Sequence, residues 1–178
     1  SGIDKVNVHA VDFSETRLKK AGERLSVRNN VTLKQVDFLG SYELDKDYDY
    51  VVSQRFLINL MEWELQKKVI ADLMNMLKPG GTFLMLEGCV DGVNELNEFR
   101  ALYDLEPIPV KWHNLFFEND KLVSFMKEQG HELIEEDGLG EYFFLTRGLR
   151  PVFDKELSWD NHFNEVASKM GVRKIIGF

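Results

Sequence analysis

The sequence predicts one α/β domain on a mostly parallel sheet with helices on both faces. Short apolar runs that finish in a carboxylate or amide, at Asp12, Asp37, Gln54 and Glu87, alternate with stretches whose apolar residues recur every three or four positions. Such alternation calls for right-handed crossovers between parallel strands and a ligand crevice at the strand C-termini. Lys78-Pro79-Gly80-Gly81, between a helical stretch and an apolar run, marks a stop and a new strand.

In chain order, residues 6–12 alternate Val6, Val8 and Ala10 and finish at Asp12, reading as a buried strand. Ser14 is placed to cap the helix that follows, where Leu18, Ala21 and Leu25 fall on one face. Asn29 and Asn30 mark a turn before a half-buried strand over residues 31–36, and residues 39–47 are polar and turn-like. A third strand over residues 48–53 leads to Gln54 and Arg55. Residues 62–77 carry Leu65, Val69, Leu73, Met76 and Leu77 at helical spacing, ended by the Lys-Pro-Gly-Gly stop, and residues 82–86 form the next buried strand.

Beyond Gly88 the alternation lapses. Residues 90–105 read as a helix, Pro107 and Pro109 impose an extended segment, and residues 112–117 are aromatic without periodicity. Residues 120–129 read as a short helix closed by Gly130, and residues 132–137 as a strand. Residues 142–147 suit either a strand or a helix, residues 160–170 a helix, and residues 172–178 a last strand.

Composition narrows the function classes. The 178 residues, 44% hydrophobic and 29% charged, fit one soluble domain with a real core. A net charge of −8 with no basic cluster excludes a phosphate-backbone partner. Cys89 is the only cysteine, so no disulfide framework or cysteine metal site arises, and a reducing, cytoplasmic setting is expected. The four histidines lack metal-ligand spacing, so no metal is expected. No apolar run approaches the roughly 20 residues of a membrane span. A small-molecule substrate is therefore the expected partner, with self-association left open.

Asp12 is the first candidate site residue. A carboxylate at the C-terminal end of a parallel strand, just before a helix, is where open α/β sheets accept hydrogen bonds from a ribose, although aspartates also end strands merely to start turns.

The order of pieces resembles the class I S-adenosylmethionine-dependent methyltransferases. Val11-Asp12-Phe13-Ser14-Glu15 resembles their acidic second-strand motif, Val36-Asp37-Phe38 their third-strand motif, and Leu77-Lys78-Pro79-Gly80-Gly81 the turn into their fifth strand. The resemblance implies a Rossmann-like sheet of that type lacking its first strand, because the family's first strand and Gly-x-Gly-x-Gly loop should precede Val6; the chain is thus expected to be N-terminally incomplete. It implies a cofactor-binding core over residues 1–88 and a substrate or cap region over residues 89–178. Residues 105–151 further resemble bacterial members associated with sugar or polysaccharide modification.

The cofactor implied is S-adenosyl-L-methionine. Asp12 would accept from both ribose hydroxyls and Asp37 from the adenine amino group, while Phe13 and Phe38 would flank the base unless they are ordinary core. Gln54 and Arg55 would lie near the methionine end. Methyl transfer is an in-line displacement, so catalysis is positioning plus a base when the acceptor is a hydroxyl. His113 is the expected base, with Glu87 either a second base or a satisfied structural carboxylate, and Trp112, Tyr142 and Arg147 are expected at the substrate. O-methylation of a small or sugar-type acceptor is the leading reading. A degenerate binding domain and a nicotinamide-dependent oxidoreductase, whose ribose an acidic strand end would serve equally well, are the rivals.

A final expectation concerns the sheet. The absent strand would lie centrally, and an empty place would strand two rows of backbone donors and acceptors. Either residues are missing, a neighbouring chain fills the slot, or the Asp12 strand pairs directly with the Gln54 strand.

Overall fold

The computed structural model describes residues 6–43, 45–154, 158 and 160–169. Contacts group the chain into two compact units, Ser1–Asp47 and Tyr48–Phe178. The expected division at residue 88 between cofactor core and cap coincides with no boundary between these units.

In the first unit, β1 (Val8–Asp12) pairs in parallel with β2 (Val31–Gln35), in register from Val8 opposite Val31 to Asp12 opposite Gln35. The crossover is α1 (Glu15–Leu25), capped as expected: the Ser14 hydroxyl accepts from the Arg17 N–H at 3.4 Å. Leu18, Ala21 and Leu25 are half-buried, and the core of this unit is Val36 and Phe38, just past the end of β2.

In the second unit, β3 (Tyr48–Gln54) pairs in parallel with β4 (Leu77–Leu86). A 3₁₀ turn (Leu57–Asn59) and α2 (Trp63–Met74) join them. Helix α2 buries Gln66, Val69, Ile70 and Leu73, and with Leu57, Ile58, Leu60, Met76 and Phe117 these side chains form the main core. Each fully buried Leu, Ile or Val here contributes about 1.5–3 kcal/mol of apolar burial.

The Lys-Pro-Gly-Gly stretch is not the helix stop predicted. Helix α2 has already ended at Asn75, and the four residues bulge from inside the β3–β4 ladder: Tyr48 opposes Leu77, yet Tyr50 opposes Thr82. Pro79 has no N–H to give a ladder, and Gly80 turns at φ +81°, so both belong in the bulge. A side chain at Gly81 would press at 3.1 Å on Leu77 and on the Lys78 and Tyr48 carbonyls.

Beyond β4, Cys89 makes a parallel bridge to Phe117, with Phe117 N–H on the Gly88 carbonyl at 3.0 Å and Val90 N–H on the Phe117 carbonyl at 2.8 Å. Gly88 is required there, because a Cβ would stand 2.7 Å from the Phe116 ring. Helix α3 (Val90–Ala101) fixes the proline segment: Asn97 and Ile108 exchange two hydrogen bonds of 3.0 and 2.7 Å. Helix α4 (Asn119–Glu128) is closed by Gly130 at φ +81°, as its sequence predicts.

Residues 132–137 form no strand. Among the described residues they have no ladder partner, Leu133 and Ile134 are exposed, and four carboxylates crowd the stretch. Residues 142–147 resolve to helix, within α5 (Gly140–Phe143), a π-helical segment (Phe144–Leu149) and α6 (Arg150–Phe153). A Cβ at Gly148 would stand 3.1 Å from Leu96 and 3.2 Å from Phe99, so glycine lets this segment approach α3. Arg150, only 4% exposed, bonds Asp154, the Ser158 carbonyl and Asn164, tying α6 to α7 (His162–Lys169). Residues 172–178, read as a last strand, lie outside the described residues.

Among the described residues the ladders are β1 with β2 and β3 with β4, so direct pairing of the Asp12 strand with the Gln54 strand is not the arrangement found.

Candidate functional site

Both units present polar side chains at the C-terminal ends of their parallel strands, and each set is built by its own local sequence.

In the first unit, Asp12 terminates β1 in an Asx turn. Its Oδ1 accepts from the Ser14 N–H at 2.8 Å, and Oδ2 lies 3.7 Å from the exposed Arg17 guanidinium. A carboxylate offers about four acceptor sites, so Asp12 keeps room for a diol. Phe13 follows with its ring 65% exposed, its carbonyl held by Gln35 Nε2 at 2.8 Å. Asp37 repeats the device one strand over, Oδ1 accepting from the Leu39 N–H at 2.9 Å with the rest of the carboxylate in solvent. Phe38 differs from Phe13. It is buried against Tyr42, with centroids 4.7 Å apart, and so serves as core rather than as an open face for a base.

In the second unit, Gln54 ends β3 exposed, and Arg55 takes φ +50°, a conformation non-glycine residues seldom adopt. Arg55 is held by its N–H on the Leu86 carbonyl at 2.9 Å and by its carbonyl, which accepts from Asn59 Nδ2 at 2.8 Å. Strain of this kind gathers where a chain positions groups for a ligand.

Glu87 is engaged by four donors. Its Oε1 accepts from the Ser53 hydroxyl at 2.6 Å and from the N–H groups of Phe56 and Leu57 at 3.1 and 3.2 Å, and Oε2 accepts from the Ile58 N–H at 3.3 Å. The carboxylate caps the 3₁₀ turn and replaces the ladder partners that its N–H groups lack. These four bonds make Glu87 a satisfied carboxylate of the turn.

The 112–117 segment is fastened to this turn. Asn114 Nδ2 donates to Asn59 Oδ1 at 3.1 Å, Leu115 N–H donates to the Ile58 carbonyl at 2.8 Å, and Gln66 Nε2 reaches both the Leu57 and Leu115 carbonyls, at 3.1 and 2.9 Å. His113 is exposed at the tip, its ring edge-on to the Trp112 indole at 5.2 Å, and Trp112 is 88% exposed. Gln66 reads in the sequence as one polar residue on a helix, and its partners Leu57 and Leu115 lie 9 and 49 residues away.

Tyr142 and Arg147 are half-buried in the helical segment that packs on α3. The Tyr142 carbonyl accepts from the Thr146 hydroxyl at 2.6 Å, and the Arg147 carbonyl accepts from the Arg100 guanidinium. Burial, then the nearby Arg147 charge, holds Arg100 below the ordinary guanidinium value. Beside the bridge at Phe117, the Asn119 N–H donates to Asp91 at 2.9 Å and is the main cause of its lowered pKa. Cys89 donates its thiol to the same oxygen at 3.1 Å, and burial first, then this bond, pushes the thiol up. Among the described residues, no group of three or more His, Cys, Asp or Glu side chains is arranged to hold a metal ion, and no helix is long and apolar enough to cross a membrane.

The profile of a family described as "Methyltransferase domain" matches residues 2–81, the part that holds Asp12, Asp37, Gln54 and the Lys-Pro-Gly-Gly bulge. Two curated relatives, demethylmenaquinone methyltransferases of Staphylococcus carnosus and Staphylococcus haemolyticus, are each 25% identical, over 139 and 136 residues, or 78% and 76% of this chain. The chain spans about half the length of these relatives, 56% and 55%. A solved structure of a methyltransferase-like protein from Bacillus halodurans shares the fold, with a TM-score of 0.52 and 18% identity over 71% of this chain and 54% of that one. Residues 2–81 are therefore similar to a methyltransferase domain, and the chain has a Rossmann-like fold class.

Proposed function

We propose that this chain carries the cofactor-binding and acceptor elements of an enzyme that transfers a methyl group from S-adenosylmethionine to a small-molecule acceptor. The observation that carries the reading is Asp12, a carboxylate at the end of a parallel strand with acceptor capacity left beyond its own turn. Asp12 holds the ribose diol, Phe13 offers its exposed ring to the adenine, and Asp37 accepts from the adenine amino group. Gln54 and the strained Arg55 serve the methionine end. When bound, S-adenosylmethionine supplies an electrophilic methyl group on a sulfonium; the chain's part is to align the acceptor in line with it and to manage one proton.

Trp112 provides a planar apolar surface for an acceptor ring; the two curated relatives are named for demethylmenaquinone, and because an electrophilic methyl needs an electron-rich acceptor, the reduced, quinol form is the first to test. Transfer to an acceptor oxygen is the finer reading, in which exposed His113 takes the hydroxyl proton as the methyl arrives. Tyr142 and Arg147 then contact the acceptor's polar groups.

Calorimetric titration of the full-length protein with S-adenosylhomocysteine and, separately, with NAD tests the cofactor. Binding of S-adenosylhomocysteine alone is expected; NAD binding alone overturns the reading in favour of hydride transfer, and binding of neither leaves a non-catalytic domain. For the base, His113→Ala lowers turnover far more than cofactor affinity. Unchanged turnover removes His113 from the chemistry and favours an acceptor that needs no base.

A further inference from the structure

The buried polar group at the centre of the second unit has no evident place in catalysis. Gln66 is 1% exposed, on the face of α2 that also buries Val69, Ile70 and Leu73. Burying a carboxamide costs free energy unless its hydrogen bonds are made. An apolar side chain would fill the same space but would leave the Leu115 carbonyl without this donor.

The Gln66 amide makes bonds to two places far apart in the sequence. Nε2 donates to the Leu57 carbonyl at 3.1 Å, in the turn capped by Glu87, and to the Leu115 carbonyl at 2.9 Å, in the segment carrying Trp112 and His113. The Leu115 N–H completes the junction on the Ile58 carbonyl at 2.8 Å, and Asn114 reaches Asn59 outside it. One NH₂ group thus bonds both the strand-end turn and the Trp112–His113 segment.

We infer that Gln66 is a positioning residue for the acceptor: it holds the segment bearing Trp112 and His113 at a fixed height over the turn that Glu87 caps. The inference rests on the methyl-transfer reading above. Gln66 touches no reacting atom, and it acts through Leu115.

The test uses the full-length protein and its Gln66→Met and Gln66→Leu variants, which keep an apolar-compatible volume and lack both donors. Amide hydrogen exchange is expected to speed at least tenfold at Leu115, while the Asn75 amide at the end of α2 is unchanged. Kinetics with methyl-labelled S-adenosylmethionine and reduced 1,4-naphthoquinone as the acceptor probe are expected to show the acceptor KM raised about tenfold and the S-adenosylmethionine KM within twofold. A purely structural role predicts something else: fewer active molecules, hence a lower kcat with both KM values unchanged, and that result overturns the inference. So does unchanged exchange at Leu115 in both variants. If the parent protein does not methylate the probe, the quinol reading fails by itself, and exchange at Leu115 against Asn75 still decides whether Gln66 holds the segment.

Discussion

Asp12 and Glu87 present the same signal in the sequence, a carboxylate at the end of an apolar strand, and the structure puts them to opposite uses. Asp12 has a short side chain that reaches only its own turn, so one backbone N–H occupies it. Glu87 is one methylene longer and stands beside the end of β3, where Gln54 opposes Leu86, so it reaches across to Ser53 and the three N–H groups of the next turn. The donors within reach decide whether a strand-end carboxylate remains open to a ligand or becomes part of the scaffold.

The largest expected effect follows from that contrast. Glu87→Ala leaves the Ser53 hydroxyl and three N–H groups without their acceptor, and a buried donor left unsatisfied costs about 1–3 kcal/mol. Urea unfolding should therefore show a loss of about 3 kcal/mol or more. A loss under about 1 kcal/mol would mean that water replaces the carboxylate and that Glu87 is open after all.

Asp12→Ala should invert the pattern. Its stability cost is that of one turn hydrogen bond, about 1 kcal/mol, whereas S-adenosylhomocysteine affinity should fall by about 1.5–3 kcal/mol through lost bonds to a charged acceptor. Calorimetry on the variant checks this, and equal affinity in variant and parent would break the assignment of Asp12 to the ribose.

Much of this contrast was beyond the reach of the sequence. Local signals were legible: the periodicity of α1 and α2, the Ser14 cap, the Gly130 close and the strand-end carboxylates all follow from neighbours a few residues away. What failed depended on partners distant in the chain. The Lys-Pro-Gly-Gly stretch reads as a helix stop, because only the register of β3 reveals it as a bulge. Residues 132–137 have strand-like residues but, among the described residues, no strand paired with them. The roles of Glu87 and Gln66 rest on bonds spanning 29–34 and 9–49 residues.

A smaller effect concerns Asp91, a third carboxylate just past the end of β4. The Asn119 N–H holds it ionised, and its charge and hydrogen bond help keep the neighbouring Cys89 protonated. Alkylation needs the thiolate, so the rate of Cys89 with iodoacetamide should reach half its maximum above the ordinary thiol value of 9.0. Asp91→Asn removes the negative charge and moves that midpoint down. An unchanged midpoint would assign the whole shift to burial.

The smallest effect sharpens the claim that Asp12 is open. Arg17 is a cationic neighbour, at 3.7 Å and well exposed, and a surface pair of this kind is worth about 0–1 kcal/mol. If Arg17 merely shares Oδ2 with solvent, Arg17→Ala should leave unfolding free energy within about 0.5 kcal/mol of the parent. S-adenosylhomocysteine affinity should then hold or rise slightly, because the diol no longer competes with the guanidinium. A fall in affinity would mean the opposite: Arg17 orients the carboxylate, and Asp12, like Glu87, depends on its neighbours for its working geometry. Measuring both quantities on the one variant separates the cases, since removing a competing partner changes binding without stability, whereas removing an orienting partner weakens binding at moderate ionic strength and less so when salt screens the pair.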